Sequence, residues 1–324
     1  MNRIAAALVA LAVAAGLSGC ERQNVQTAAV NGDDIQEETA AVEYIYGIPA
    51  DENAGVISHN IADVYVSPDV KSDRITQALY NQPVTILSNE NGWAEVKTVN
   101  GFTGWIKSKY VDSDISSIYG RNYTRRIIVT SKEKTVYAYP SGGATRIIAP
   151  MGTELYSFNN IDDSYEVYLP GNKTGWIQGS GIIHIGLNGI IPVTNAEDFA
   201  ATALRLKGVS YLVNGMSAAG IDATGLVYIC ARINGINLPG TIKGQLASGI
   251  QIKPEDALAG DLVFLASSGE NEAKDISCVG VCIGGGNYIY AGRKAGYVTI
   301  GEINRENADG IVVEARRIFN MTSE

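Results

Sequence analysis

Residues 220–240, GIDATGLVYICARINGINLPG, combine a glycine turn, a short polar step and an apolar run. The polar step, Asp222-Ala223-Thr224-Gly225, stands where a helix would begin, and the positive end of a helix stabilises developing negative charge. A nucleophile such as a thiolate is often mounted at that position. The first helical residue here is Ala223, whose methyl group can neither attack a substrate nor accept a proton. The spacing therefore predicts the frame of a nucleophilic site around an inert side chain.

Two helices and several strands must position this step. Thr194-Asn195-Ala196-Glu197 reads as a capping box, and Phe199, Ala203 and Leu206 then follow on one helical face. The second helix starts at the polar step and has an apolar face of Leu226, Val227, Ile229 and Cys230. Glycine-bounded strands follow in residues 260–267, 275–292 and 309–318. Helices followed by antiparallel strands predict an α+β domain.

An internal repeat organises the chain before this region. Short alternating runs separated by turns begin near residue 54 and again near residue 125, and each series contains Thr-Gly-Trp-Ile, at residues 103–106 and 174–177. Alternation with a period of two and turns rich in Gly, Asn and Pro is typical of strands. The repeat predicts two small β-barrels.

The motifs resemble those of two known families. GVSYLVNGMSAAGIDATGLVYICARINGINLPG is similar to the NlpC/P60 peptidase signature PYxWGGxSxxGxDCSGLV…NGxxLPR, and AGDLVFL and CVGVCIGGGNYIYA are similar to its later segments. The repeated Gly-Trp resembles the last strands of bacterial SH3 domains. The resemblance implies two SH3-like β-barrels, residues 51–118 and 119–188, followed by a papain-like NlpC/P60 α+β domain, residues 189–324. This arrangement resembles enzymes that cut γ-D-glutamyl–diamino acid bonds in cell-wall peptides.

The resemblance also implies a catalytic cysteine, a histidine base and a third polar residue that orients the base. Carried over position by position, these roles fall on Ala223, Cys278 and Tyr290, so all three catalytic groups are replaced. The chain has two histidines, His59 and His184, and both precede the third domain. Without the thiolate and its base, cysteine peptidase chemistry has no agent. The expected protein is a pseudoenzyme.

Other interpretations of the three positions stay open. Cys278 could act as a rearranged nucleophile with Asp222 as its base, although an ordinary carboxylate matches a thiol poorly in pKa. An engineered cysteine-to-alanine change would explain Ala223 but neither Cys278 nor Tyr290. Packing of small and aromatic side chains into the space of lost catalytic groups explains both of the latter. Cys230 and Cys282 are interpreted as core residues, and His184 as a packed or edge-strand residue.

Several residues are candidates for ligand binding. In SH3-bearing relatives the counterpart of Asp222 helps to grip the free amine of the peptide, together with an acidic residue of the first SH3 domain. Asp73 is the nearest match for that acid, with Tyr110 as a weaker candidate and Thr224 beside Asp222. Asp222 is also predicted to cap its helix, and Asp73 could equally be a solvated turn residue. Leu238-Pro239 is followed by Gly240-Thr241-Ile242 rather than by the family's usual Arg-Asp-Ser, which puts the ancestral substrate in doubt.

The N-terminus indicates export. One basic residue, an apolar run from Ile4 to Leu17 and the sequence Leu17-Ser18-Gly19-Cys20 resemble a lipoprotein signal peptide, in residues 1–20, with Cys20 as the lipid-bearing residue; an ordinary signal peptide is the alternative. Residues 21–50 are polar and acidic and predict a flexible tether. No later segment is long and apolar enough to span a bilayer.

The formal net charge of −9 argues against nucleic acid or anionic lipid as the main partner. Cys278 and Cys282 would lie too far apart along one strand for a disulfide. The cysteines and histidines fit no metal pattern, and no cofactor is predicted.

These observations predict a lipid-anchored protein of the cell envelope that binds a peptidoglycan peptide or a related ligand. One rival is an active hydrolase with rearranged catalytic residues. The other is a scaffold whose SH3-like domains bind a protein partner.

Overall fold

The computed structural model describes residues 53–187, 189–266 and 275–319. The predicted signal peptide, the lipid-bearing Cys20 and the tether lie outside the described residues. Within the described part of the chain, no helix has the length and apolar character needed to cross a membrane.

The first seven-stranded sheet lies between residues 54 and 112. Its strands are β1 (Ala54–Ile57), β2 (Ile61–Tyr65), β3 (Arg74–Leu79), β4 (Pro83–Glu90), β5 (Trp93–Thr98), β6 (Thr103–Lys107) and β7 (Val111–Asp112). Their order in the sheet is β3-β2-β6-β5-β4-β1-β7. The side chains of Ala62, Val64 and Ile106 point into a small apolar core, whereas those of Asp63 and Tyr65 point outward. This alternation is what a strand with one buried face requires.

The second seven-stranded sheet repeats the first. Its strands are β8 (Arg125–Val129), β9 (Glu133–Tyr139), β10 (Gly142–Pro150), β11 (Glu154–Ile161), β12 (Ser164–Leu169), β13 (Lys173–Gln178) and β14 (Ile182–Ile185). The order β10-β9-β13-β12-β11-β8-β14 is that of the first sheet, strand for strand. The two copies of Thr-Gly-Trp-Ile lie on the equivalent strands β6 and β13. The duplication predicted from the repeat is confirmed, whereas the exact domain boundaries stay predictions.

The third part of the chain begins with helices and continues with an antiparallel sheet. The helices are α1 (Ala196–Arg205), α2 (Ala223–Ile233) and α3 (Ile242–Leu246), and a two-stranded ribbon, β15 (Met216–Ser217) with β16 (Gly220–Ile221), precedes α2. The remaining strands are β17 (Ile250–Ile252), β18 (Leu262–Ala266), β19 (Ile276–Gly284), β20 (Asn287–Gly292), β21 (Tyr297–Glu302) and β22 (Ile311–Arg317). They form a six-stranded sheet in the order β17-β22-β18-β19-β20-β21. The predicted α+β class is confirmed.

The first helix is capped one residue later than predicted. The side chain of Asn195 accepts a hydrogen bond from the Asp198 amide at 2.7 Å, so Asn195 rather than Thr194 is the N-cap. The Thr194 hydroxyl instead donates to the Asn234 side-chain oxygen at 2.7 Å, because Asn234 follows the end of α2 beside it. The predicted apolar face of α1, which includes Phe199 and Leu206, is buried.

Helix α2 occupies the centre of the third part. Its predicted apolar face is buried, and the helix packs against β19 and β20. The surrounding core also contains Leu79 of the first sheet, Ile128 of the second, and Met151 in the turn between β10 and β11. Both sheets therefore contribute to the core around the helix that begins at Ala223.

Candidate functional site

The start of α2 is built around the carboxylate of Asp222. One oxygen, Oδ1, accepts hydrogen bonds from the Gly225 amide at 2.7 Å and from the Thr224 hydroxyl at 2.9 Å. Asp222 is thus the N-cap of α2, as predicted, and Ala223 is the first helical residue and is buried. Thr224 is also held from its other side, because its carbonyl accepts from the Gln245 side chain at 3.0 Å.

The second oxygen of Asp222, Oδ2, accepts a hydrogen bond from the Asn214 amide at 3.0 Å. Burial raises the pKa of the Asp222 carboxyl, and this effect outweighs the hydrogen bonds from Gly225, Thr224 and Asn214, which lower it. The carboxylate therefore serves first to hold the local backbone. A role in gripping a ligand amine stays a prediction.

Cys278 lies on β19 and Tyr290 on the neighbouring strand β20, where Tyr290 pairs with Gly280. Both side chains are buried, with exposed fractions of 7% and 3%. Burial raises the pKa of the Cys278 thiol to about 12, and the negative charges of Asp309 and Asp222 add to this effect. The structure thus brings Cys278 into the electrostatic reach of the α2 start, but as a thiol that stays protonated at neutral pH.

Tyr290 is also unsuited to catalysis, since it cannot act as the base that a thiol requires. Its burial, followed by the charge of Asp309 and the nearby Cys278, raises the pKa of its phenol. A neutral phenol at physiological pH can donate a hydrogen bond but cannot withdraw a proton from a thiol. The side chains of Cys278 and Tyr290 are both packed in the interior, and their interpretation as space-filling residues stays a prediction.

Asp222, Cys278, Tyr290 and the residues that interact with them electrostatically form the cluster around Asp222. Two of its members, Tyr211 and Asp309, were not predicted from the sequence. Tyr211 is half-buried, and burial followed by the charge of Asp222 raises the pKa of its phenol. The Asp309 side chain accepts from the Lys294 amide at 2.8 Å, close to Tyr290. Tyr211 lies in the signature segment SYLVNG, which was a usable signal. Asp309 follows Ala308 in an Asp-Gly turn, which carries no functional signal beyond the turn itself.

The two candidates from the first sheet occupy different surroundings. The Asp73 side chain is exposed, whereas its neighbour Arg74 contacts the third part through the Val213 carbonyl. Tyr110 stacks on His59, with ring centroids 4.2 Å apart, and packs against the core of the first sheet. Ligand binding by either residue stays a prediction.

A different acidic residue, Asp63 on β2, does lie next to the contact between Arg74 and the Val213 carbonyl. Its carboxylate accepts from the side chains of Arg74 at 3.2 Å and Gln77 at 2.8 Å, and also from the Tyr65 hydroxyl at 3.2 Å. The signal for Asp63 was the alternation in ADVY, which places Asp63 on the outward face of its strand. Asp73 was predicted instead as the nearest match for the acidic residue of the SH3-bearing relatives, but position along the chain says little about neighbours in space.

His184, Cys230 and Cys282 lie where their patterns predicted. His184 is exposed on the edge strand β14, and His59 stacks on Tyr110, so neither belongs to the cluster around Asp222. Cys230, Cys278 and Cys282 are free and buried, and Cys230 and Cys282 belong to the core. Among the described residues, no three His, Cys, Asp or Glu side chains lie together as a metal ion would require.

Comparisons with known proteins identify the parts of the chain. Residues 62–112 match the model of the bacterial SH3 domain, and residues 208–317 match that of the NlpC/P60 family. The chain is 25% identical over 242 residues to a γ-D-glutamyl-L-lysine dipeptidyl-peptidase of Bacillus cereus, covering 71% of this chain and 70% of the relative. It is 24% identical over 262 residues to the protein of the same name in Bacillus subtilis, covering 76% of this chain and 81% of the relative.

A solved structure supports the same assignment at the level of the fold. The crystal structure of an NlpC/P60 family protein from Bacillus cereus matches 82% of this chain and 99% of its own, with a TM-score of 0.72 and 22% identity. The chain therefore contains a bacterial SH3 domain and an NlpC/P60 domain and is homologous to γ-D-glutamyl-L-lysine dipeptidyl-peptidases.

Proposed function

We propose that this protein binds peptides of the cell wall through its NlpC/P60 domain and does not cleave them. The observation that carries this proposal is Ala223, the buried first residue of α2, at the position where the family resemblance implies the catalytic cysteine. Removal of a catalytic nucleophile costs several orders of magnitude in rate. A binding role needs only the frame of the site.

The surroundings of Cys278 support the absence of catalysis. Burial raises the pKa of the Cys278 thiol far above neutral pH, so the thiolate that a nucleophilic attack requires is disfavoured. Burial also restricts access of a substrate carbonyl to the sulfur atom. These properties argue against the rearranged hydrolase, in which Cys278 would attack.

The names of the relatives support the choice of ligand in this proposal. Two of them are dipeptidyl-peptidases for the γ-D-glutamyl-L-lysine bond, and a shorter match is a muramidase and DL-endopeptidase of Bacillus subtilis. We therefore propose a peptide that contains γ-D-glutamyl-L-lysine or a similar diamino acid as the ligand. The protein would act in the cell envelope, exported by residues 1–20 and tethered by lipid at Cys20.

Binding and cleavage are best measured together on the purified protein. A peptide containing the γ-D-glutamyl-L-lysine bond is titrated by calorimetry, and the same samples are followed by mass spectrometry. We expect heat of binding without cleavage. Cleavage that Cys278→Ser abolishes would contradict the proposal and favour the rearranged hydrolase. Neither binding nor cleavage would contradict it as well, and would favour the scaffold with a protein partner.

A pair of cap variants tests whether Asp222 contributes its charge to binding. Serine can still cap α2 but carries no negative charge, so Asp222→Ser should weaken binding of a peptide ammonium while α2 stays folded. Asn195→Ser exchanges one uncharged cap residue for another at the N-cap of α1, so it controls for the change of cap and should leave binding unaltered. Equal effects of the two variants would mean that Asp222 acts only as a cap.

A further inference from the structure

The segment immediately before the ribbon β15–β16 is tied to the edge strand β3 of the SH3 domain. The Arg74 guanidinium donates twice to the Val213 carbonyl, from Nη2 at 2.7 Å and from Nε at 3.1 Å. A fork of two donors on one oxygen fixes the direction of that carbonyl more firmly than a single bond would. Val213 is itself 50% exposed, so apolar burial is not what holds it.

A second contact comes from Gln77, three residues after Arg74 on β3. Its buried side chain accepts from the Met216 amide at 2.9 Å and donates to Asp63 at 2.8 Å. Asp63 also receives Arg74 at 3.2 Å. Both residues that grip the segment are thus oriented by one carboxylate on β2.

Asn214 connects this contact with the start of α2. Its backbone is left-handed, with φ of 54°, and its side-chain amide donates to the Arg74 carbonyl at 2.6 Å. Its own backbone amide donates to Asp222 Oδ2 at 3.0 Å. One residue therefore contacts both the SH3 domain and the carboxylate that caps α2.

We propose that Arg74 and Gln77 are positioning residues, which hold residues 213–216 so that the Asn214 amide fixes the orientation of the Asp222 carboxylate. Without them, Asp222 would keep its bonds to Gly225 and Thr224 and would still cap the helix. Its second oxygen would lose a fixed donor, and the carboxylate could rotate about its side-chain bonds. The SH3 domain would thus set the geometry of the site from outside it.

This inference deepens the proposed function, and only its ligand measurement rests on that function. The first test therefore uses the full chain without ligand and measures hydrogen exchange at the amides of Asn214 and Met216. Exchange at a locally opened segment follows the free energy of local opening. Arg74→Ala should increase these two rates about tenfold, the change expected when local stability falls by about 1.4 kcal/mol.

Three further variants make this measurement decisive. Gln77→Ala should accelerate Met216 more than Asn214, and it serves if Arg74→Ala does not fold. Arg74→Lys should restore part of the protection, because an ammonium can still donate to the Val213 carbonyl. Arg146→Ala removes an exposed arginine from β10, the equivalent edge strand of the second sheet, and should leave both rates unchanged. Unchanged exchange in both Arg74→Ala and Gln77→Ala would overturn the proposal.

The second test measures the dissociation constant for the γ-D-glutamyl-L-lysine peptide. We expect about tenfold weaker binding by Arg74→Ala, equal to about 1.4 kcal/mol, with partial recovery in Arg74→Lys. Faster exchange with unaltered affinity would show that Asp222 needs no positioning, and would overturn the proposal. If the unaltered protein binds no peptide, the proposed function fails, whereas the exchange measurement still decides whether Arg74 and Gln77 position the segment.

Discussion

The two seven-stranded sheets have the same strand order, yet they hold opposite ends of helix α2 by different physical means. The first sheet holds the segment before α2 through side-chain hydrogen bonds, in which Arg74 donates to the Val213 carbonyl and Gln77 accepts from the Met216 amide. The second reaches the last turn of α2 through an ion pair, in which the buried Glu154 carboxylate accepts from the partly exposed Arg232 at 2.8 Å. The difference teaches that a duplicated β-sheet can keep its own interior and still acquire two unlike roles at its surface.

What the sheets share is a row of three cross-strand neighbours. Tyr, Trp and Glu stand side by side on three adjacent strands in both copies, as Tyr65, Trp105 and Glu95 in the first sheet and as Tyr137, Trp176 and Glu166 in the second. Cross-strand pairs of this kind stabilise a sheet whatever its partner. The shared row therefore belongs to the sheet itself, whereas the unlike contacts with α2 belong to the role of each copy.

The largest effect is expected at Glu154. Its carboxylate is buried between Arg232 and Arg126, and the Arg126 side chain is 2% exposed. Glu154→Gln would leave the Arg126 charge buried without its partner, which costs about 3–5 kcal/mol of unfolding free energy. Chemical denaturation of the variant checks this value. Glu302→Gln, which breaks an exposed pair with Arg305, should change stability by no more than about 0.5 kcal/mol.

A smaller effect on unfolding free energy is expected at the tryptophans of the two rows, and it should differ between the two sheets. Trp176 is 9% exposed, so Trp176→Ala should cost about 3 kcal/mol through lost contacts and a cavity. Trp105 is only half-buried, so Trp105→Ala should cost about 1–2 kcal/mol, in proportion to the apolar area it removes from water. Parallel denaturation curves of the two variants measure the difference. Equal losses would mean that the two rows contribute alike and that burial does not distinguish the copies.

The turns before β4 and β11 offer a third comparison. The first has Asn81 with φ of 61°, and the second has Gly152 with φ of 85° at the equivalent position. Asparagine tolerates a left-handed backbone, but in Gly152→Asn the added Cβ would lie 3.1 Å from the Ile229 side chain of α2. We expect a loss of about 2 kcal/mol from overpacking, measured by thermal or chemical unfolding.

The matched control for Gly152 is Gly92, which has φ of 82° and no atom within 4 Å of an added Cβ. Gly92→Asn should therefore change stability by no more than about 0.5 kcal/mol. A similar loss in both variants would place the cost in the backbone rather than in the contact with α2.

Much of this architecture could be predicted from local patterns. The Thr-Gly-Trp-Ile repeat revealed the duplication, and the spacing of Phe199, Ala203 and Leu206 revealed the buried face of α1. Periodicity works here because each element buries one face, and burial selects residue types at fixed intervals. The capping role of Asp222 at the start of α2 could also be predicted, since a cap acts within three residues along the chain.

Contacts between distant segments could not be predicted in this way. Asp63 and Asp222 lie far apart in sequence, and only the docking of β3 against residues 213–216 brings their surroundings together. The fold of the six-stranded sheet brings Asp309 into the cluster around Asp222, close enough to raise the pKa of Cys278. Nothing in the Asp309 turn itself indicates this position. Even the cap of α1 was displaced by one residue, because Thr194 bonds to Asn234, which lies 40 residues away along the chain.

The smallest expected effect concerns the contact that distinguishes the first sheet. Asn214→Gly keeps a residue that adopts φ of 54° without strain and removes only the side-chain bond to the Arg74 carbonyl. Loss of one hydrogen bond should lower the unfolding free energy by about 1 kcal/mol. Asn214→Ala should cost about 1 kcal/mol more, because alanine disfavours a left-handed backbone.

Thr145→Ala supplies a control in the second sheet, where exposed Thr145 stands opposite Tyr137 as Arg74, the partner of Asn214, stands opposite Tyr65. It should change stability by no more than about 0.5 kcal/mol. If Asn214→Gly is equally neutral in denaturation and in exchange of the Met216 amide, the side-chain bond does not tie the two domains. The first sheet would then hold the start of α2 through Arg74 and Gln77 alone, and the asymmetry between the two copies would rest on those two side chains.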